Sequence, residues 1–289
     1  MKKNFLSIIL VVSMLFSLFG FLPVMANELT LEDGVYKITS SDQFMKITDM
    51  NATYWILNDM VLPENYVPIG TSDNPFNGKI IGKSNDDTKK ITITVSLNTQ
   101  GTAALIANMA GGIVSDITLE GTVKTNNRTV AAGFVGYMTG GKIENCINRA
   151  NISSNYNGPS SIYLGGIAGL IKTAAQTSVI SCENYGEISS PDSSYGSVGG
   201  ILGASYNGYT VIDSCKNEGK INAGADFAGG ITGIAYSDII NCANFGDVIN
   251  SAGDSSGICV RTNLSISRSF NTGSVKAKET ASGISNTGK

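Results

Sequence analysis

The chain has 289 residues, a formal net charge of −3, 15% charged residues and no histidine. It therefore carries no basic footprint for nucleic acid and no polybasic membrane patch, and every imidazole-based mechanism and His-ligated metal site is excluded. Apolar content of 42% is too high for disorder, and 34 glycines among many β-branched residues point to short strands and tight turns.

Lys2 and Lys3 precede a mostly apolar run from Phe5 to Leu22, and Val24-Met25-Ala26 forms a small-residue cleavage site. Residues 1–26 thus read as a secretory signal, with an uncleaved anchor as the alternative. No later apolar stretch approaches the ~20 residues that a spanning helix needs. Residues 27–103 read as an N-terminal cap with the first rungs of a repeat structure. Within them, residues 34–38 are a short strand. Ser40 is a helix N-cap, with Phe44, Ile47 and Met50 on one helical face. Residues 54–62 form a strand holding the sole tryptophan, Trp55; residues 66–70 and 75–82 are strand and turn pairs; residues 91–97 alternate as a half-buried strand does. Asp86-Asp87 is an acidic pair read as a solvated turn.

From residue 104 to 289 the chain repeats. A cysteine column runs Ile117, Cys146, Cys182, Cys215, Cys242, Ser269. Three residues earlier stand Val114, Ile143, Val179, Ile212, Ile239 and Ile266; six residues later stand Val123, Ile152, Ile188, Ile221, Val248 and Val275. Two residues after the cysteine column come Leu119, Asn148, Asn184, Asn217, Asn244 and Asn271, and four after it Gly121, Ala150, Gly186, Gly219, Gly246 and Gly273. Upstream of each copy lies Gly-Gly-Ile-x-Gly or a near relative, as at residues 199–203 and 229–233. The interval falls from 36 residues (Cys146 to Cys182) to 27 (Cys215 to Cys242), which fits one rung of a β-helix. Helical repeats would be weakened by ~1 kcal/mol at each such glycine. In-register stacking would place Glu183 over Lys216, and Glu187, Lys220 and Asp247 in one column.

Gly-Gly-Ile-x-Gly followed by x-Cys-x-Asn-x-Gly-x-Ile resembles the GLUG-motif repeats of bacterial secreted and surface proteins. That resemblance implies an all-β, right-handed, single-stranded parallel β-helix (solenoid) with an N-terminal cap containing a short helix, and a secreted or cell-surface location. Relatives occur in adhesin-like proteins and beside immunoglobulin-cleaving metallopeptidases, where the peptidase lies in another domain; no catalytic residues carry over.

Cys146, Cys182, Cys215 and Cys242 stack along a line and not at tetrahedral corners, so they read as small core residues and neither as a zinc site nor as disulfides. Cys259, in another column, reads the same way. Asn148, Asn184, Asn217, Asn244 and Asn271 read as a ladder bonding the rung above and the local backbone. No carboxylates pair at glycosidase spacing. The expectation is therefore a chain that is not an enzyme and needs no cofactor or metal. It would serve adhesion to, or binding of, a glycan or a host or cell-surface protein. A β-helix polysaccharide lyase or glycosidase, or a passive spacer, are the alternatives. Insertions place Tyr156, Tyr163, Tyr195, Tyr206 and Tyr209 on or beside loops, and these are the predicted contact residues. Residues 281–289 begin a seventh rung without finishing it, which predicts a further domain or a partner at that end.

Overall fold

A computed structural model describes residues 28–86, 88–126, 130–156, 158–172, 175–192 and 195–285, with the side chains of residues 207–209 outside the described part. The predicted leader, Asp87 and residues 286–289 lie outside it. Nearly every described strand pairs in parallel, and the chain winds as a β-solenoid.

Each full turn visits three sheets. A glycine sheet is built of the strands Val130–Ala132, Ile162–Gly165, Gly196–Gly199, Phe227–Gly229, Asp254–Ser256 and Ala281–Ser282. The Gly-Gly turn then leads into a broad sheet, entered by Val135–Met138 and left by Gly141–Glu144 in one turn. In later turns these two segments merge into Leu202–Asp213 and Thr232–Ile240. A ladder sheet follows, with pairs such as Ile147–Asn148 and Asn151–Ser154.

The columns read from the sequence are the pairing register. Val114, Ile143, Val179, Ile212, Ile239 and Ile266 pair in succession, as do Val123, Ile152, Ile188, Ile221, Val248 and Val275. Most of these side chains are fully buried and form one continuous apolar core. Burying each stabilises the fold by roughly 1.5–3 kcal/mol relative to exposure. The columns also reach one turn further upstream: Ile91, Ile93, Val95 and Leu97 pair with Ile117, Leu119, Gly121 and Val123. The alternating strand is thus a rung of the ladder sheet.

The corner from the broad sheet to the ladder sheet follows one rule that the sequence reading missed. Asp116, Asn145, Ser181, Ser214, Asn241 and Arg268 all have φ between 49° and 61°, and each stands one residue before the cysteine column. Asn and Asp tolerate this left-handed region because their short polar side chains bond locally; Ser181, Ser214 and Arg268 adopt it at the same corner. The corner swings the chain through the turn with no glycine.

At the N-terminal end the helix is shorter than predicted, Ser41–Phe44, with Ser40 accepting from the Gln43 N–H. Ile47 and Met50 reach the core from the segment that follows. Residues 66–70 and 75–78 form only isolated bridges, Ile69 with Ile106 and Phe76 with Met109. Pro68 and Pro75 remove backbone donors there. On the surface, Glu183 pairs with Lys216 in register and their side chains meet at 2.9 Å. Glu187 and Lys220 stand in adjacent rungs, yet Glu187 accepts from Asn222 instead.

Candidate functional site

The cysteine and asparagine columns are interior. Each cysteine sulfur lies 3.4–3.7 Å from a carbonyl of the preceding rung: Val114 for Cys146, Ile143 for Cys182, Val179 for Cys215 and Ile212 for Cys242. All five cysteines are free and buried. Burial pushes the Cys146 and Cys215 thiols up, and takes Cys259 from its ordinary 9.0 to about 12. In the unfolded chain thiols ionise near ~8.5. The folded state therefore keeps the Cys259 proton longer, so its contribution to stability is full below about pH 8 and falls as pH rises toward 12. Moving from pH 8 to pH 10 should lower unfolding stability by roughly 1–2 kcal/mol through Cys259. Within the column Cys182, against its burial, and Cys242 are shifted down by bonds from the neighbouring thiols and oppose Cys146 and Cys215. Urea midpoints at the two values test the sign, and a thiol reagent at pH 8 should label no cysteine until urea is added.

Each ladder asparagine donates its Nδ2 to the Oδ1 of the next rung at 2.7 Å, from Asn148 through Asn184, Asn217 and Asn244 to Asn271. The same Nδ2 reaches the carbonyl two residues on, at 2.8–3.0 Å. The Gly-Gly signature belongs to the same device. A Cβ on Gly200 would stand 2.3 Å from Cγ of Asn217, and one on Gly230 would stand 2.3 Å from Cγ of Asn244. The glycine turn and the asparagine therefore press together across the interior of a single rung. Ala150 replaces glycine in the one copy whose preceding rung offers Leu119 in place of an amide. There the free Oδ1 of Asn148 accepts the Ala150 N–H at 3.2 Å.

With the interior occupied by packing, chemistry on offer to a partner lies outside. Alternation sends two columns outward where the glycine sheet meets the broad sheet. One is Val130, Tyr163, Ser197, Phe227 and Asp254; the other is Tyr137, Leu170, Ala204, Ile234 and Arg261. The third glycine of Gly-Gly-Ile-x-Gly lets them approach. A Cβ on Gly169 would lie 2.5 Å from Cγ1 of Val130, and one on Gly233 would lie 2.2 Å from Oγ of Ser197. The result is a second apolar cluster on the outer side of the wall. Val130, Leu170, Ala204 and Ile234 form its floor, and Tyr137, Tyr163, Tyr206 and Phe227 pack half-buried over it.

Aromatic rings run along this seam. Tyr163 and Tyr206 meet edge to face at 5.9 Å, Tyr206 and Tyr236 at 6.0 Å, and the Tyr206 hydroxyl donates to the Tyr163 hydroxyl at 3.2 Å. Burial, then that hydroxyl contact, pushes the Tyr206 phenol up, so it stays a neutral donor. Tyr236 is 37% exposed, and the Arg261 guanidinium lies 4.2 Å from the Phe227 ring centre. Tyr137 also lines a cavity of about 340 Å³ with Ser72, Pro75, Asn108, Met109 and Lys172. That volume is in the range of small-molecule sites.

The predicted contact residues thus divide. Tyr163 and Tyr206 come together on the seam. Tyr156 is half-buried against the main core, its hydroxyl accepting from the Ser160 N–H at 3.3 Å, and Tyr195 is 56% exposed before the strand Gly196–Gly199. Neither enters a ring contact with the seam among the described residues. The Tyr209 side chain lies outside the described part. Sequence reading missed Tyr137, Phe227 and Tyr236. For Tyr137 the available signal was a side chain recurring directly after the third glycine, with Leu170 and Ile234, in a column that alternation turns outward; Phe227 and Tyr236 fall outside that pattern.

A parallel β-solenoid with a half-buried aromatic seam is the class that fold and surface define. No family model matches the sequence and no curated protein matches it, so the GLUG likeness stays one of motif. Among solved structures, the chain is similar to a Bacteroides ovatus protein bearing the provisional name immunoglobulin A1 protease. The TM-score is 0.66 at 17% identity, covering 86% of this chain and 83% of that one. It is also similar to a chain named IgA1 Protease, with TM-score 0.55 at 15% identity, covering 83% of this chain and 21% of that one. Likeness at such identity shows the fold. It also corrects the expectation that the chain is not an enzyme, because the shared fold occurs in chains that bear a protease's name. The case against catalysis rested on missing glycosidase-type carboxylates, which peptide-bond chemistry does not require, and on a resemblance of motif from which no catalytic residues carry over.

Proposed function

We propose that the chain is an exported recognition solenoid that holds a protein or glycan partner on the aromatic seam, as a part of a peptidase-type or adhesin-like surface protein. The observation that carries this reading is the linked row Tyr163–Tyr206–Tyr236, which leaves the Tyr236 ring partly exposed on the outer wall. Tyrosine offers a rigid face and a hydroxyl at low entropic cost, which suits both partner classes. Export is supported by the leader-like residues 1–26. Membership of a larger protein is supported by the solved chain named IgA1 Protease, of which this fold matches 21%. Immunoglobulin A1 is accordingly the first protein partner to try.

The test is a binding screen of the mature chain against immunoglobulin A1, other serum proteins and a glycan panel. A partner bound by the wild type and lost on Tyr206→Ala plus Tyr236→Ala supports the seam. Binding that is unchanged in the variant, or no binding to any partner, as a passive spacer requires, sinks it. Assaying the same mixtures for new peptide termini and new reducing ends shows whether a bound partner is also cut.

A further inference from the structure

Asparagines that are followed two residues later by serine or threonine carry a chemistry of their own. Asn-x-Ser/Thr, with x other than proline, is the acceptor sequence for N-linked sugar transfer, which needs an accessible amide and an accessible hydroxyl on an exported chain. Three such triplets lie within the described residues: Asn51-Ala52-Thr53, Asn151-Ile152-Ser153 and Asn263-Leu264-Ser265. A fourth, at Asn127, lies outside them.

The three differ in what the fold leaves free. Asn151 opens the strand Asn151–Ser154, and its Oδ1 accepts the Glu187 N–H at 3.0 Å. Ser265 donates its hydroxyl to Asp238 at 2.6 Å, and its N–H goes to the same carboxylate at 3.2 Å. In the first triplet neither group is engaged. Asn51 is exposed in a turn, and Thr53 opens the strand Thr53–Ile56 on its outward side, with Tyr54 and Ile56 buried. Neither the Asn51 nor the Thr53 side chain makes a hydrogen bond among the described residues. The turn is held by Asp49 instead. Its Oδ1 accepts the Asn51 N–H at 2.9 Å, and its carbonyl accepts the Tyr54 hydroxyl at 2.8 Å. Met50 and Tyr54, both buried, anchor the segment on either side. The Asn51 amide thus has no part in shaping the turn that presents it, whereas turn asparagines ordinarily bond their own backbone.

We propose that Asn51 is a site of N-linked glycosylation. The inference rests on the export reading of residues 1–26. The co-reactant is an oligosaccharide carried on a lipid pyrophosphate. Nδ2 of Asn51 bonds to C1 of the sugar, the bond from C1 to the pyrophosphate oxygen breaks with its electron pair leaving on the pyrophosphate, and the amide gives up one proton to a base of the transferase. Thr53 supplies the hydroxyl that the transferase reads. The turn stands in the first rungs of the solenoid, and Tyr206 and Tyr236 lie several rungs further along, so the sugar leaves the aromatic seam uncovered.

The experiment is mass spectrometry of the protein purified from the exported fraction of the cells that make it. The mature chain should outweigh its sequence by whole sugar residues, all carried by the peptide containing Asn51. Asn51→Gln and Thr53→Val should each remove that excess, and Thr53→Ser should retain it. Neither side chain supports the fold, so all three variants should melt within roughly 2 °C of the wild type, which separates loss of sugar from loss of folding. A mature chain whose mass equals its sequence, or whose sugar sits on another residue, would overturn the site. N-terminal sequencing of the same sample keeps the two readings apart. An unmodified chain that begins at Asn27 refutes the modification alone, and one that keeps its leader refutes export as well.

Discussion

Replacing Asn217 by alanine should cost roughly 3–5 kcal/mol of unfolding free energy. Asn217 is fully buried; its Oδ1 accepts from Asn184, and its Nδ2 donates to the Gly219 carbonyl at 2.9 Å and to Asn244 at 2.7 Å. The alanine leaves the Gly219 carbonyl and the Asn244 Oδ1 without that donor and Asn184 without its ladder acceptor. Each buried group so stranded costs about 1–3 kcal/mol, partly offset by bonds that remain, such as Asn184 to Gly186. For a chain of this size, the melting temperature should fall by roughly 6–15 °C. Asn271 sits half-buried at the last described step of the ladder, and no further asparagine accepts from its Nδ2 among the described residues. Asn271→Ala should therefore cost only about 1 kcal/mol. Similar small losses at both positions would show that the ladder is not a buried, linked element.

Gly230→Ala should be severely damaging. Its Cβ would lie 2.0 Å from the Gly257 carbonyl oxygen, 2.3 Å from Cγ of Asn244 and 2.6 Å from its Nδ2. One contact is backbone of the next rung and the others belong to the ladder, so neither can yield without breaking register. Overpacking of this kind costs roughly 3 kcal/mol or more. Gly283 occupies the same column at the last described turn, and a Cβ there meets nothing within 4 Å. Gly283→Ala should be neutral within about 0.5 kcal/mol. Thermal melts of the two variants decide the matter: equal effects would contradict the cross-rung contact.

These contrasts explain why the fold was legible in the sequence and the surface much less so. A solenoid repeats one environment at every turn, so Cys215, Asn217, Gly219 and Ile221 each meet the same neighbours as Cys242, Asn244, Gly246 and Val248. Identical constraints leave identical residue types, and columns appear. The left-handed corner left a fainter mark, because Asp116, Asn145, Ser181 and Arg268 share a backbone angle and not a side chain. The seam left fainter marks still. It arises where two outward columns from different sheets meet, and the pairing of Tyr163 with Tyr206 joins residues 43 positions apart on neighbouring strands of separate sheets. A setting in inserted loops is legible in sequence for Tyr156 and Tyr195 as much as for Tyr163, although only Tyr163 joins the seam. Tyr236, inside the regular strand Thr232–Ile240, did not stand out.

The repeat thus specifies a rigid wall, and recognition is assigned to the aromatic side chains that alternation turns outward from it. The most direct test is the affinity of the Tyr236→Ala variant for the tightest partner found in the screen. Tyr236 is partly exposed and touches Tyr206 at a ring edge, so its removal should spare the core. The expected result is a loss of affinity of about tenfold or more with a melting temperature within roughly 2 °C of the wild type. Full affinity in that variant would contradict the seam as the contact face.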